Sequence, residues 1–91
     1  RFAGTPVKPT GRDRMLRNVL IAVGNSGDPS YIDAVAHHLA DPSPLVRAMS
    51  VWALARIASS DVLATWAARS RPGETDVAVI AEWKAAGDLA S

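Results

Sequence analysis

Hydrophobic residues recur along this chain at the spacing of amphipathic helices. Between residues 11 and 40 an apolar residue returns every three or four positions, which places these residues on one side of each of two helices. They are Leu16, Val19, Leu20 and Val23 in the first helix and Ile32, Val35, Ala36 and Leu39 in the second. No convincing alternation of apolar and polar residues predicts a strand. The pattern therefore predicts an all-α protein.

Turn residues indicate where the helices begin. Thr10 is followed three positions later by Asp13, and Asp28 and Asp41 each precede a proline. A side-chain oxygen just before a helix accepts a backbone N–H, and proline is tolerated in the first turn. We therefore predict helices that begin near residues 11, 29 and 42.

Further apolar patterns bring the set to about five helices. A third helix follows the second, and a fourth and a fifth are separated by the break at residues 71–73. The predicted lining residues are Val46, Met49, Ala53 and Ile57 in the third helix, Val62, Leu63, Trp66 and Ala67 in the fourth, and Val77, Ile80, Ala81 and Lys84 in the fifth. We place one helical domain at residues 11–91, preceded by a basic connector at residues 1–10.

A recurring offset relates the helices to one another. Adding 31 to a residue number carries Val46 onto Val77 and Trp52 onto Trp83. Helix pairs repeated at such a period must stack to bury their apolar faces, which predicts a short α-α superhelix of about two and a half units. Residues 41–57 resemble the second half of a HEAT-type repeat.

Composition excludes several functions. The 91 residues include no cysteine, so this chain can hold neither a disulfide nor a thiolate-ligated metal or cluster. It has no apolar run of the roughly 18 residues that a membrane span needs, and no signal-peptide core. We therefore expect a cytoplasmic protein that does not enter a membrane.

The charge of the chain is concentrated at its beginning. Residues 1–17 carry five basic residues and one Asp, a net charge of +4, whereas residues 18–91 carry a net charge of −3. A basic end on a slightly acidic body is typical of surfaces that bind phosphates, although a solvated terminus has the same composition.

Polar residues of the first helix lie opposite its apolar stripe. Arg14, Arg17 and Asn18 share this face, and arginine presents a planar fork of donors that suits phosphate oxygens. Arg47 recurs 30 positions after Arg17 and either prolongs the basic row or bonds neighbouring turns of the repeat. The candidate nucleic-acid-binding residues are Lys8, Arg12, Arg14, Arg17, Asn18 and Arg47.

The histidines and tryptophans do not indicate a catalytic or metal site. His37 and His38 are adjacent, and adjacent helical positions point about 100° apart, so the two rings cannot easily share a metal ion. The three tryptophans fall in the apolar pattern, where large rings fill the seams between helices, although an exposed tryptophan stacks on a base. We expect no cofactor, metal or catalytic residue in this chain.

The stretch from residue 4 to residue 27 resembles the start of the C-terminal helical region of epoxyqueuosine reductases. The resemblance covers roughly residues 2–58 and rests on Gly4-Thr5-Pro6, Gly11, Arg17-Asn18 and Ala22-Val23-Gly24-Asn25. Enzymes of that family reduce epoxyqueuosine to queuosine in tRNA, with cobalamin and two 4Fe-4S clusters, and a HEAT-like domain helps to hold the anticodon stem-loop.

This resemblance implies a tRNA-docking domain without a catalytic site. Its partners would be the tRNA anticodon stem-loop and the enzyme's own catalytic and ferredoxin-like regions, which would lie upstream of Arg1 with the cobalamin and the clusters. By the same likeness Lys8, Arg12, Arg14 and Arg17 would lie on or near the RNA-facing side. The alternative is a free-standing HEAT-like module that binds another protein.

Overall fold

The computed structural model describes residues 11–90, with side chains as far as residue 87, and this part of the chain forms five α-helices. They are α1 (Gly11–Ser26), α2 (Ile32–His37), α3 (Pro44–Ile57), α4 (Ser60–Ser70) and α5 (Val77–Ala90). Short 3-10 turns occupy Pro29–Tyr31, His38–Ala40 and Arg71–Gly73. Residues 11–90 contain no strand, so the predicted all-α class with about five helices is confirmed. The connector predicted at residues 1–10, with Lys8, lies outside the described residues.

The capping residues that the sequence predicted differ in what their side chains do. Asp28 accepts the N–H of Ser30 at 2.9 Å, as predicted for an N-cap. The predicted start near residue 42 is two residues early, because α3 begins at Pro44 with Ser43 as its N-cap. Asp41 instead accepts the N–H of Ser43 and lies buried against α1. Its side chain is therefore used to join two helices.

The central helix of the fold is α3, which packs mainly against α1 and α5. The helix α2 also lies against α3, and α4 contacts both α3 and α5. Val46, Val51, Ala53 and Leu54 of α3 are fully buried. Around them lie buried residues of the other helices: Leu20, Val35, Leu63, Val79, Trp83 and Ala86.

The buried positions of α1, α3 and α5 recur at a fixed offset. Adding 33 to a residue number carries Val46 of α3 onto Val79 of α5, and it carries Leu20 of α1 onto Ala53 and Ala53 onto Ala86; all five are buried. This period, with the stacking of the three helices, forms the short superhelix that the sequence predicted. The predicted offset of 31 is wrong by two positions for these helices.

Because the offset of 31 was wrong, the face of α5 that was predicted to be buried is the exposed one. The predicted lining of this helix is exposed along its whole length: Val77, Ile80, Ala81 and Lys84. Val46 has none of its surface exposed, whereas Val77, its partner at an offset of 31, is 81% exposed. Val79, Trp83 and Ala86 face the core instead. Both faces of α5 are apolar, so its own pattern did not distinguish them.

A glycine sets the close approach of α1 and α3. A Cβ atom on Gly24 would lie 2.4 Å from a ring carbon of Trp52, a distance that no real contact allows. Gly24 therefore allows the indole of Trp52 in α3 to lie against the backbone of α1.

Among the helices between residues 11 and 90, none combines the length and hydropathy that a bilayer span requires.

Candidate nucleic-acid interface

The predicted basic face of α1 is partly exposed and partly packed. Arg14 and Asn18 are exposed, whereas Arg17 is half-buried. Arg17 donates from Nη2 to Oδ1 of Asn18 at 3.4 Å, and its buried Nε has no hydrogen-bond partner in the described part of the chain. Arg17 is thus partly covered by its surroundings, while Arg14 is exposed to solvent.

Arg12 is committed to two carboxylates. Its guanidinium donates to both oxygens of Asp41 and, at 3.2 Å, to Oδ1 of Asp13. Both aspartates are buried, and Ser43 donates to Asp13 at 2.9 Å. The hydrogen bond from Arg12 is the main reason that the pKa of Asp41 is lowered, and the same bond raises the pKa of Arg12. Two negative charges therefore surround this one positive charge.

Arg47 is bonded within the protein through all of its nitrogens. Nε and Nη2 donate to the two oxygens of Glu74 at 3.0 and 3.1 Å. Nη1 donates to the carbonyl oxygens of Asp41 at 2.8 Å and Pro42 at 3.2 Å. The structure therefore supports the interpretation in which Arg47 bonds neighbouring turns of the repeat.

The carboxylates that hold these arginines form a repeated feature. Asp41 and Glu74 are related by the same offset of 33, each in the segment before a stacked helix. Each accepts an N–H from the residue two positions later, Ser43 at 2.9 Å and Asp76 at 3.0 Å. Burial by itself raises the pKa of Glu74, but hydrogen bonds from the arginine of α3 and from the backbone outweigh it, so the pKa is lowered. Each carboxylate thus links one stacked helix to the next.

Arg14 stands at the position of α1 that the same offset relates to Arg47 of α3. The corresponding carboxylate is nevertheless bonded by Arg12, two residues before Arg14. Among the described residues no carboxylate lies within ion-pair distance of Arg14. Its full charge is therefore offered to solvent.

The sequence interpretation missed Arg56, a residue of α3 that contacts the C-terminal end of α1. Arg56 is exposed, and its Nε donates to the carbonyl oxygen of Gly24 at 3.3 Å. Its guanidinium carbon lies 5.0 Å from the centre of the Trp52 ring. The signal was the four-residue spacing from Trp52, which places an arginine over the ring on a helix.

Arg56 is bonded to α1 at Gly24, on the side of that helix that Arg17 also shares. Gly24 follows Arg17 by seven residues, or about two helical turns, so the two share one side of the helix. Arg14 precedes Arg17 by about one turn. We call these three residues, Arg14, Arg17 and Arg56, the arginine row.

Two grooves and the histidine pair are other candidate sites that the described residues offer. A groove of about 450 Å³ between α4 and α5 is mainly apolar, and one of about 520 Å³ lies beside the ion pair of Arg47. The rings of His37 and His38 meet edge to face with centroids 5.5 Å apart. Within the described residues no group of three or more His, Asp or Glu side chains is placed to hold a metal ion.

Comparison with known proteins agrees with the fold. The model of the family described as HEAT repeats matches residues 11–81. An epoxyqueuosine reductase from Xanthomonas campestris pv. campestris is 37% identical over 57 residues, which are 62% of this chain and 16% of the relative. No solved structure matches the chain significantly. The resemblance to an epoxyqueuosine reductase is thus confirmed for a HEAT-like segment, and the chain belongs to the HEAT repeat family.

Proposed function

We propose that this chain is the tRNA-docking domain of an epoxyqueuosine reductase and has no catalytic site of its own. The observation that carries the proposal is its 37% identity over 57 residues to a protein of that name. The arginine row supports a docking role, because it offers positive charge that no carboxylate neutralises in the described part of the chain. Docking would occur in the cytoplasm.

The proposed contact is electrostatic. Guanidinium groups donate paired hydrogen bonds to phosphate oxygens, and their binding releases counterions from the nucleic acid. Such contacts position an RNA without reading its sequence. Arg14 and Arg17 supply this contact with the amide of Asn18 beside them, and Lys8 remains a predicted addition to it. Arg12 and Arg47 act indirectly, since their ion pairs hold α1, α3 and the segment before α5 in place.

A binding measurement tests the proposal. A fluorescently labelled anticodon stem-loop RNA is titrated with the 91-residue chain, with the variant Arg14→Glu/Arg17→Glu, and with Arg71→Glu/Lys84→Glu. The control pair has the same change in charge, and both of its residues are exposed near the α4–α5 end. We expect the first variant to weaken binding about tenfold or more at low salt, and the control to change it much less. Circular dichroism checks that both variants keep their helices.

Unchanged binding by Arg14→Glu/Arg17→Glu contradicts the docking proposal. Equal weakening by both variants contradicts it as well, because attraction by net charge alone would then explain the binding. The neutral variant Arg14→Gln/Arg17→Gln gives a second readout. Each phosphate contact that the substitutions remove should reduce the slope of log affinity against log salt by about 0.7 to 0.9.

A second candidate function is a module that binds another protein. The exposed apolar residues Val77 and Ile80 on α5 favour it, because an exposed apolar patch is typical of a surface that binds another protein. If the wild-type chain does not bind RNA at low salt, this second function is preferred.

A further inference from the structure

We propose that Arg56, held over the indole of Trp52, is a third phosphate-binding residue, so that the RNA backbone follows the seam between α1 and α3 from Arg14 to Arg56. This inference rests on the proposed docking function and adds a residue of α3 to a surface that the sequence placed on α1 alone. It also gives the contact a direction along the helix.

The guanidinium of Arg56 has two contacts within the protein, and its terminal nitrogens are available for a third. Its Nε is bonded to the carbonyl oxygen of Gly24, and its guanidinium carbon lies over the ring of Trp52, 5.0 Å from the ring centre. The two terminal nitrogens have no hydrogen-bond partner among the described residues. An arginine that is already oriented loses less conformational entropy when it binds a phosphate. The contacts that fix Arg56 therefore leave its fork available.

The arginine row has the length of a stretch of nucleic-acid backbone. Gly24, where Arg56 is attached, follows Arg14 by ten residues, which is about 15 Å along α1. Even in a DNA duplex one strand carries a phosphate about every 3.4 Å of its axis, so a length of about 15 Å is several times the axial spacing of neighbouring phosphates. The three positive charges of the row are thus spread along one strand instead of converging on a single anion.

The chain contains a matched arginine outside this seam. Arg69 lies over Trp66 with its guanidinium carbon 5.3 Å from the ring centre, and it is also exposed. It belongs to α4, which packs against α5. Arg56 and Arg69 therefore share the stacked arrangement and the charge, and differ in whether they adjoin α1.

The experiment compares Arg56→Gln with Arg69→Gln in the 91-residue chain. Binding of the labelled anticodon stem-loop RNA is measured over a series of salt concentrations. We expect Arg56→Gln to weaken binding about five- to tenfold and to reduce the log–log salt slope by about 0.7 to 0.9, as removal of one phosphate contact does. Arg69→Gln should change neither quantity, and Arg56→Lys should keep the salt slope because it keeps the charge.

A purely structural role for Arg56 gives a different result. Its bond to Gly24 satisfies a carbonyl group near the end of α1, so the loss of this bond should lower the melting temperature whether or not RNA binds. If Arg56→Gln melts earlier but keeps the wild-type salt slope, the inference is wrong. Arg14→Gln/Arg17→Gln is measured in parallel. Weakening by that pair alone refutes only the role of Arg56, whereas no effect of either variant refutes the docking function itself.

Discussion

Arg47 and Glu74 are 27 residues apart in the sequence and form a two-pronged ion pair, with nitrogen–oxygen distances of 3.0 and 3.1 Å. The pair joins the first turn of α3 to the segment that leads into α5. Arg12 and Asp41 join α1 to the segment before α3 in the same way. Both carboxylates are largely buried, so each pair contributes to the stacking of the repeat as well as to its charge balance.

Stability should fall in acid because of these two carboxylates. The pKa values of Asp41 and Glu74 are lowered in the folded state, so the stability that they contribute is complete above their unfolded pKa values of about 3.9 and 4.3. It is lost as the pH falls through the lower folded values. These two groups should therefore change the free energy of unfolding, measured in urea, very little between pH 7 and pH 5. They should lower it as the pH falls below about 4.

The variant Asp41→Asn/Glu74→Gln checks the origin of this decrease. It should be less stable than the wild type at pH 7, because it lacks both charge-assisted interactions. It should also lose less stability between pH 5 and pH 3. An acid decrease as steep as that of the wild type would assign the effect to other carboxylates.

Arg12 and Arg14 should differ in what their removal affects. Arg12→Gln removes the partner of a buried aspartate and should lower the melting temperature. Arg14→Gln removes no ion pair seen in residues 11–87 and should leave the melting temperature nearly unchanged while weakening RNA binding. Thermal unfolding and RNA titration of the two variants measure this difference. Equal effects on stability would contradict the assignment of Arg12 to the scaffold.

Gly24→Ala should destabilise the chain by about 1 to 3 kcal/mol, because the new methyl group overlaps the ring of Trp52. The melting temperature should fall by about 4 to 8 °C for each kcal/mol in a domain of this size. Gly87→Ala is the control, since nothing lies within 4 Å of a Cβ at that helical position. We expect that substitution to stabilise α5 by up to about 1 kcal/mol. A Gly24→Ala variant as stable as the wild type would show that α1 and α3 separate easily.

Val79→Ala and Val77→Ala make the same chemical change two residues apart. Val79 is buried in the core, so its truncation should reduce the free energy of unfolding by roughly 1.5 to 2.5 kcal/mol. Val77 is 81% exposed, and its truncation should change that energy by less than about 0.5 kcal/mol. Chemical denaturation compares the two variants. A larger loss of stability in Val77→Ala than in Val79→Ala would mean that α5 buries the face that the offset of 31 predicted.

The helices and their order follow from local patterns. Apolar spacing and capping residues act within a few positions of each other, so α1 and the turn at Asp28 were predicted close to their observed starts. The start of α3 was less accurate, because Asp41 bonds to α1 instead of capping its own helix. The distant partner, Arg12, thus decided the role of Asp41.

The face of α5 and the roles of the arginines depend on residues far away in the chain. Val77 and Val79 are equally apolar, and packing against α3 selects which of them is buried. Arg12, Arg14 and Arg47 are chemically alike, yet only Arg14 lacks a carboxylate partner in the described part of the chain. Arg12 also bonds the adjacent Asp13, but the carboxylates that tie Arg12 and Arg47 to another part of the fold, Asp41 and Glu74, lie 29 and 27 positions away, beyond the reach of any local pattern. Apolar periodicity therefore determined the helices, whereas the stacking of those helices decided that two of these three arginines are held in ion pairs.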